Sequence, residues 1–167
     1  EGIEGLSIDI SGGTISVKAS DDGLNAAGGA DSSGFGGRGG DAFAVTDGAC
    51  ITISGGTLTV DADGDGLDSN GDLRITGGVT YVAGPTSGAD SALDCNGEAE
   101  ITGGTFAATG TVGMASTFGD SSTQASMLIA LSPDSTPCTI TVLDADGTEL
   151  FSWDSTKNFS SVLFSSP

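Results

Sequence analysis

The sequence predicts an all-β chain wound as a parallel β-helix, a solenoid closed at its C-terminal end by an antiparallel capping region. Three observations predict it: a phrase that recurs at solenoid spacing, two-residue alternation of apolar and polar residues in every copy, and a change of pattern near Ala125.

The recurring phrase first runs Ile8-Asp9-Ile10-Ser11-Gly12-Gly13-Thr14-Ile15-Ser16-Val17. It returns as Ile51-Thr52-Ile53-Ser54-Gly55-Gly56-Thr57-Leu58-Thr59-Val60, then as Leu73-Arg74-Ile75-Thr76-Gly77-Gly78-Val79-Thr80-Tyr81-Val82, and shortened as Ala99-Glu100-Ile101-Thr102-Gly103-Gly104-Thr105-Phe106. A second phrase follows each of the first three: Asp22-Gly23-Leu24-Asn25, Asp65-Gly66-Leu67-Asp68 and Ser91-Ala92-Leu93-Asp94. The opening Glu1-Gly2-Ile3-Glu4 fits the same slot. Gly55 to Gly77 is 22 residues and Gly77 to Gly103 is 26, while Gly12 to Gly55 is 43, one repeat plus a Gly-rich insertion at 29–49. Leucine-rich repeats share this period but need an asparagine-containing frame that is absent. Ile-x-Ile followed by Ile/Leu-x-Val places those side chains inward and Thr, Ser and Asp outward. The Gly-Gly pair supplies a bend where positive φ costs little.

From about Ala125 longer strands are expected at Met127–Leu131, Thr139–Leu143, Glu149–Trp153 and Ser161–Phe164, with a turn at Asp144–Gly147. The expected organisation is therefore 1–124 for the repeats and 125–167 for a cap packed on their end.

Charge narrows function. The 167 residues carry 23 Asp and Glu against 4 Lys and Arg, with no histidine, for a net charge of −19. Nucleic acid is not an expected partner, because phosphate would be repelled. Histidine metal sites and Ser-His-Asp triads are excluded within the chain. No run of about 18 apolar residues exists to make a membrane span. The chain starts at Glu1 without Met or a signal peptide, which suggests a processed protein or an excised fragment. Cys50, Cys95 and Cys138 match no zinc spacing and read as small buried residues, with one intramolecular disulfide left open.

Copies stacked in register turn sequence columns into ladders about 4.8 Å apart. One column is Glu1, Asp22, Asp65, Ser91. Another, three residues on, is Glu4, Asn25, Asp68, Asp94, with Ile3, Leu24, Leu67 and Leu93 as inward anchors between them. Stacked carboxylates repel by more than ~1 kcal/mol per close pair at an effective dielectric near 20. A hard cation removes that penalty, and Ca²⁺, with six to eight oxygen ligands in flexible geometry, fits better than Mg²⁺. The candidate metal ligands are Asp65, Asp68, Asp94, Asp22, Asn25 and Asp63. The competing reading is a solvated acidic face, or Asp and Asn capping turns. Asp61-x-Asp63-x-Asp65-Gly66 with Asp72 imitates a helix–loop–helix calcium loop, but its flanks alternate like strands and Asp68 stands where that loop wants an apolar residue. Asn70 and Asn96 align as a turn-stabilising amide ladder.

Candidate ligand contacts are Arg38, Phe35 and Phe43 in the insertion, where Arg38 would meet a sugar carboxylate above an aromatic ring. A glycine flap is the alternative. Lys18 is the only lysine inside the repeats and faces outward by parity. It is a ligand contact, the base of a lyase, or simply a solubilising residue. Asn158-Phe159-Ser160 is a glycosylation sequon of low specificity.

EGIEG at Glu1–Gly5, SDDGLNAA at Ser20–Ala27, GFGGRGGD at Gly34–Asp41, DGDGLDSNG at Asp63–Gly71, GPTSG at Gly84–Gly88, ALDCNG at Ala92–Gly97 and FSSP at Phe164–Pro167 occur in order along nearly the whole chain. In these motifs the chain resembles a carbohydrate-binding domain family of secreted bacterial proteins. The resemblance implies a right-handed parallel β-helix related in fold to pectate lyases, binding calcium and acidic plant polysaccharide of the polygalacturonate type. Members of that family usually continue past FSSP and carry sequence before EGIEG. The expected function is an extracellular, calcium-dependent module for such polysaccharide. The alternatives are a structural subunit that self-associates end to end into a filament, and a pectate-lyase-like polysaccharide lyase.

Overall fold

A computed structural model describes residues 1–28, 44–86 and 88–167, so Arg38, Phe35 and Phe43 lie outside the described residues. Each copy of the long phrase forms strand. The first two copies are single strands of 13 residues, β2 (Ser7–Ala19) and β4 (Cys50–Ala62). The third divides at Gly-Gly into β6 (Asp72–Ile75) and β7 (Val79–Ala83), and the fourth into β9 (Ala99–Ile101) and β10 (Thr105–Gly110). The short phrase forms β1 (Ile3–Glu4), β3 (Leu24–Ala26), β5 (Leu67–Ser69) and β8 (Leu93–Cys95). The second glycine of the pair shows why no other residue recurs there. Gly56 has φ +84°, and a Cβ on it would lie 2.6 Å from the Gly12 carbonyl carbon.

The copies pair in parallel and in register: Ile8↔Ile51 and Val17↔Val60 between β2 and β4, Ile51↔Leu73 between β4 and β6, Val60↔Val82 between β4 and β7. β10 joins β7, and β9 joins β6. The short strands make a separate four-stranded sheet, β1-β3-β5-β8. Inward residues of both sheets meet in one core, where Leu24, Ile51, Val60, Leu67, Leu73 and Ile101 are fully buried. Alternation places them there, since a residue and its second neighbour share a face.

The remaining strands are β11 (Ser126–Ser135), β12 (Thr139–Leu143), β13 (Glu149–Asp154) and β14 (Phe159–Ser165). β14 pairs antiparallel with β10, and β11 antiparallel with β14. β12 and β13 form an antiparallel hairpin whose turn is tied by the Asp144 carboxylate, which accepts from the N–H groups of Asp146 and Thr148 at 2.9 and 2.8 Å. Phe151 of the hairpin contacts Tyr81 and Phe164 with ring centroids 5.6 and 5.3 Å apart.

The all-β class holds, but the expected right-handed parallel β-helix with a separate antiparallel cap is corrected. The sheets are mixed, and one is curled into a half-barrel. β14 and β11 do not lid a finished stack; they extend the main sheet itself, in the order β11-β14-β10-β7-β4-β6-β9 with β2 on β4. The physical reason lies at the free edge of β10, whose backbone groups need partners. β14 reaches that edge running the opposite way, and the pairing is antiparallel. Alternation in sequence reports which residues face inward, not the direction of the neighbouring strand. The cysteine expectation is also corrected. Cys138 is exposed, Cys50 and Cys95 are half-buried, and all three are free thiols.

Candidate functional site

The expected columns form. Ile3, Leu24, Leu67 and Leu93 pair in sequence, and so do Glu4, Asn25, Asp68 and Asp94. Just before each short strand the chain turns, and the turns are strung together by their aspartates. The Asp22 carboxylate accepts from the Asp65 N–H at 2.7 Å, and the Asp65 carboxylate accepts from the Ser91 N–H. Backbone bonds run alongside, from Gly23 N–H to the Asp65 carbonyl at 2.8 Å and from Gly66 N–H to the Ser91 carbonyl at 3.0 Å. The turn-capping role weighed from the sequence is therefore real for one oxygen of each aspartate.

Capping does not exhaust the cluster. One carboxylate oxygen from each of Asp22, Asp65 and Asp68 lies within 4.8 Å of the others. Asp22 is buried, and Asp65 and Asp68 are half-buried. Asn25, 1% exposed, donates its amide N–H to Asp22 at 3.3 Å, while its Oδ1 is buried with no hydrogen-bond partner. An orphaned buried acceptor costs ~1–3 kcal/mol. Burial pushes the Asp65 carboxyl up to about 8; the Ser91 N–H opposes that rise, and the charges of Asp22, Asp94 and Asp68 add to it. Packing that suits leucine thus crowds carboxylates one or two positions away.

Of the six candidate metal ligands, Asp22, Asp65 and Asp68 meet in one cluster with Asn25 against Asp22. Asp94 is exposed, pairs beside Asp68 and acts on Asp65 through its charge. Asp63 turns away and binds Lys157 at 3.0 Å with its side chain 70% exposed. That departure follows from strand parity. Asp61 and Asp63 lie on the outer face beyond Val60, where the C-terminal segment passes. Asn70 and Asn96 form the expected ladder, with Asn96 Nδ2 donating to Asn70 Oδ1 at 3.3 Å. Lys18 faces outward as expected and pairs with Asp61 at 2.9 Å.

Sequence reasoning missed a second feature. Lys157 reaches back to Asp61 at 2.7 Å and donates to the Ala62 carbonyl at 2.7 Å. Beside this network a cleft of about 300 Å³ opens between the outer face of the sheet and the end of β13, with Thr59, Asp61, Tyr81 and Trp153 among its walls. No spacing signal could reveal it, because Lys157 and Asp63 are 94 residues apart and belong to no common repeat.

The donor set of the acidic cluster is all oxygen, three carboxylates with a neutral amide nearby. That set suits a hard cation. No helix among the described residues is long and apolar enough to cross a membrane. Compared with known proteins, the chain matches no family model, no curated protein and no solved structure.

Proposed function

We propose that the chain is an extracellular, calcium-dependent carbohydrate-binding module for acidic polysaccharide of the polygalacturonate type. One observation carries this reading: the oxygen cluster of Asp22, Asp65 and Asp68 has two half-buried members, so one side of it faces solvent. Its 4.8 Å span is about twice a calcium–oxygen bond of ~2.4 Å. Asp22, Asp65 and Asp68 would hold Ca²⁺ from the protein side, with Asn25 Oδ1 as the nearest neutral donor. The solvent side would be left to ligand carboxylates. The cation supplies the charge that lets two anionic polymers meet, since a −19 chain repels a polyuronate directly.

The test is retention on immobilised polygalacturonate. Retention in millimolar calcium should fall at least tenfold in excess chelator and in Asp68→Asn, a half-buried position that tolerates the isostere. Retention unchanged by both would overturn the reading.

Lys18 weighs against the lyase alternative. Its hydrogen bond and ion pair with Asp61 raise its pKa, which holds the amine protonated where a base would have to be free. Self-association is a second reading favoured by a specific observation. β11 ends the eight-stranded sheet and exposes Met127 at 45%, Leu128 at 40% and Ile129 at 38%. Sedimentation velocity across a hundredfold range of concentration, with and without Ile129→Lys, separates the two readings. A constant monomer mass removes the second.

A further inference from the structure

We infer that the cleft beside Trp153 is a second ligand site, independent of metal and fitted to a neutral sugar ring. Its floor is the outward face of three paired strands. Ser16 pairs with Thr59 and Thr59 with Tyr81, while Lys18 pairs with Asp61 and Asp61 with Ala83. Its opposite wall is Trp153 with the segment that follows it, and the volume of about 300 Å³ lies at the lower end of the small-ligand range. The site therefore offers the Trp153 ring across from a row of hydroxyl, carboxylate and ammonium groups, with Tyr81 at the end of that row. A pyranose has that polarity, with apolar C–H faces and a polar hydroxyl rim.

Charge decides between a neutral and an anionic ring. Asp61 is held by two ammoniums, Lys18 on one oxygen at 2.9 Å and Lys157 on the other at 2.7 Å, and Lys157 also binds Asp63 at 3.0 Å. Two carboxylates and two ammoniums close on one another, and no cation in the network is left uncompensated. The wall beside Trp153 adds Asp154, an acid. An anionic ring would enter a chain of net charge −19 without a spare positive group to receive it. Neutral hydroxyls, by contrast, can accept from Lys18 and donate to Asp61 without breaking the pairs. Lys18 has room to do so, because its side chain is 84% exposed whereas that of Lys157 is 16% exposed and tied to the Ala62 carbonyl as well. The site does not depend on the calcium reading, and its ligand differs in charge from the polymer proposed there.

Trp153 is the only tryptophan, so its fluorescence reports the cleft alone. The full chain in excess chelator is titrated with α-1,4-galactobiose and with α-1,4-digalacturonate, a pair that differs only at C6 of each ring. Cellobiose, xylobiose and mannobiose extend the neutral panel. At least one neutral disaccharide should shift the emission saturably, digalacturonate should act at least tenfold more weakly, and Lys18→Met and Thr59→Val should each weaken the neutral response by about tenfold. Asp68→Asn should leave it unchanged. No response to any neutral disaccharide overturns the proposal. So does a preference for digalacturonate, or a response that Lys18→Met and Thr59→Val both leave intact. Polygalacturonate retention unchanged by chelator and by Asp68→Asn, with the fluorescence response to a neutral disaccharide present, would sink the calcium reading and spare this one.

Discussion

The repeat strand β4 alternates apolar and polar residues and the C-terminal strand β11 carries the apolar run Met127–Leu131, yet it is the apolar residues of β4 that are buried and those of β11 that are exposed. Ile51, Ile53, Leu58 and Val60 are at most 1% exposed, whereas Met127, Leu128 and Ile129 are each more than a third exposed. The difference is the number of neighbours. β4 has β2 on one side and β6 and β7 on the other, while β11 pairs only with β14 and borders solvent. A repeated row also meets copies of itself, so leucine lies on leucine and aspartate beside aspartate or asparagine. The C-terminal strands have no copies to meet and bring unlike groups together: Phe151 on Tyr81, and Lys157 on Asp61 and Asp63. Repetition concentrates charge into a site, and its absence allows a cleft.

The sharpest break of this comparison is in the core. Leu67, 0% exposed between Leu24 and Leu93, should cost ~2–5 kcal/mol when changed to Ala, measured by urea unfolding. Leu150, 59% exposed on the hairpin, should change by no more than ~0.5 kcal/mol in the same assay. Equal effects at the two positions would mean that the stacked rows do not dominate stability. Next, Lys157→Met should cost about 2 kcal/mol by leaving Asp61, Asp63 and the Ala62 carbonyl without their shared donor. Lys18→Met should be close to neutral, since its pair with Asp61 is exposed. A finer contrast uses two glycines with φ +84°. Gly147→Ala meets open space and should show only the ~1–2 kcal/mol of left-handed strain, while Gly56→Ala adds a backbone clash and should cost clearly more.

A further contrast is in pH. Asp65 has a folded pKa raised to about 8, above the ordinary carboxyl value of 3.8, so the folded state holds that proton more tightly than the unfolded one. Metal-free stability from this group is full below about pH 4 and is lost as pH rises toward 8. Tm in chelator should fall by several degrees over that window, Asp65→Asn should flatten the fall, and calcium should reverse it, because the cation favours the ionised form. A Tm that rises from pH 4 to 8 in chelator, unaltered in Asp65→Asn, would remove the crowded-carboxylate account.

All-β character, the inward faces of the repeats and the register of the acidic column were determined by the sequence itself. Recurrence at fixed spacing and a period of two leave few ways to pair such copies with their apolar residues inside. Only the tertiary structure decided that β14 closes on β10 and β11 on β14, both antiparallel, that Asp63 leaves the metal cluster for Lys157, that Cys138 is exposed, and that Trp153 faces Thr59 and Asp61 across a cleft. Those outcomes depend on contacts between segments that share no repeat. Local pattern says which face of a strand seeks the core, but not which distant strand will lie beside it or in which direction it will run.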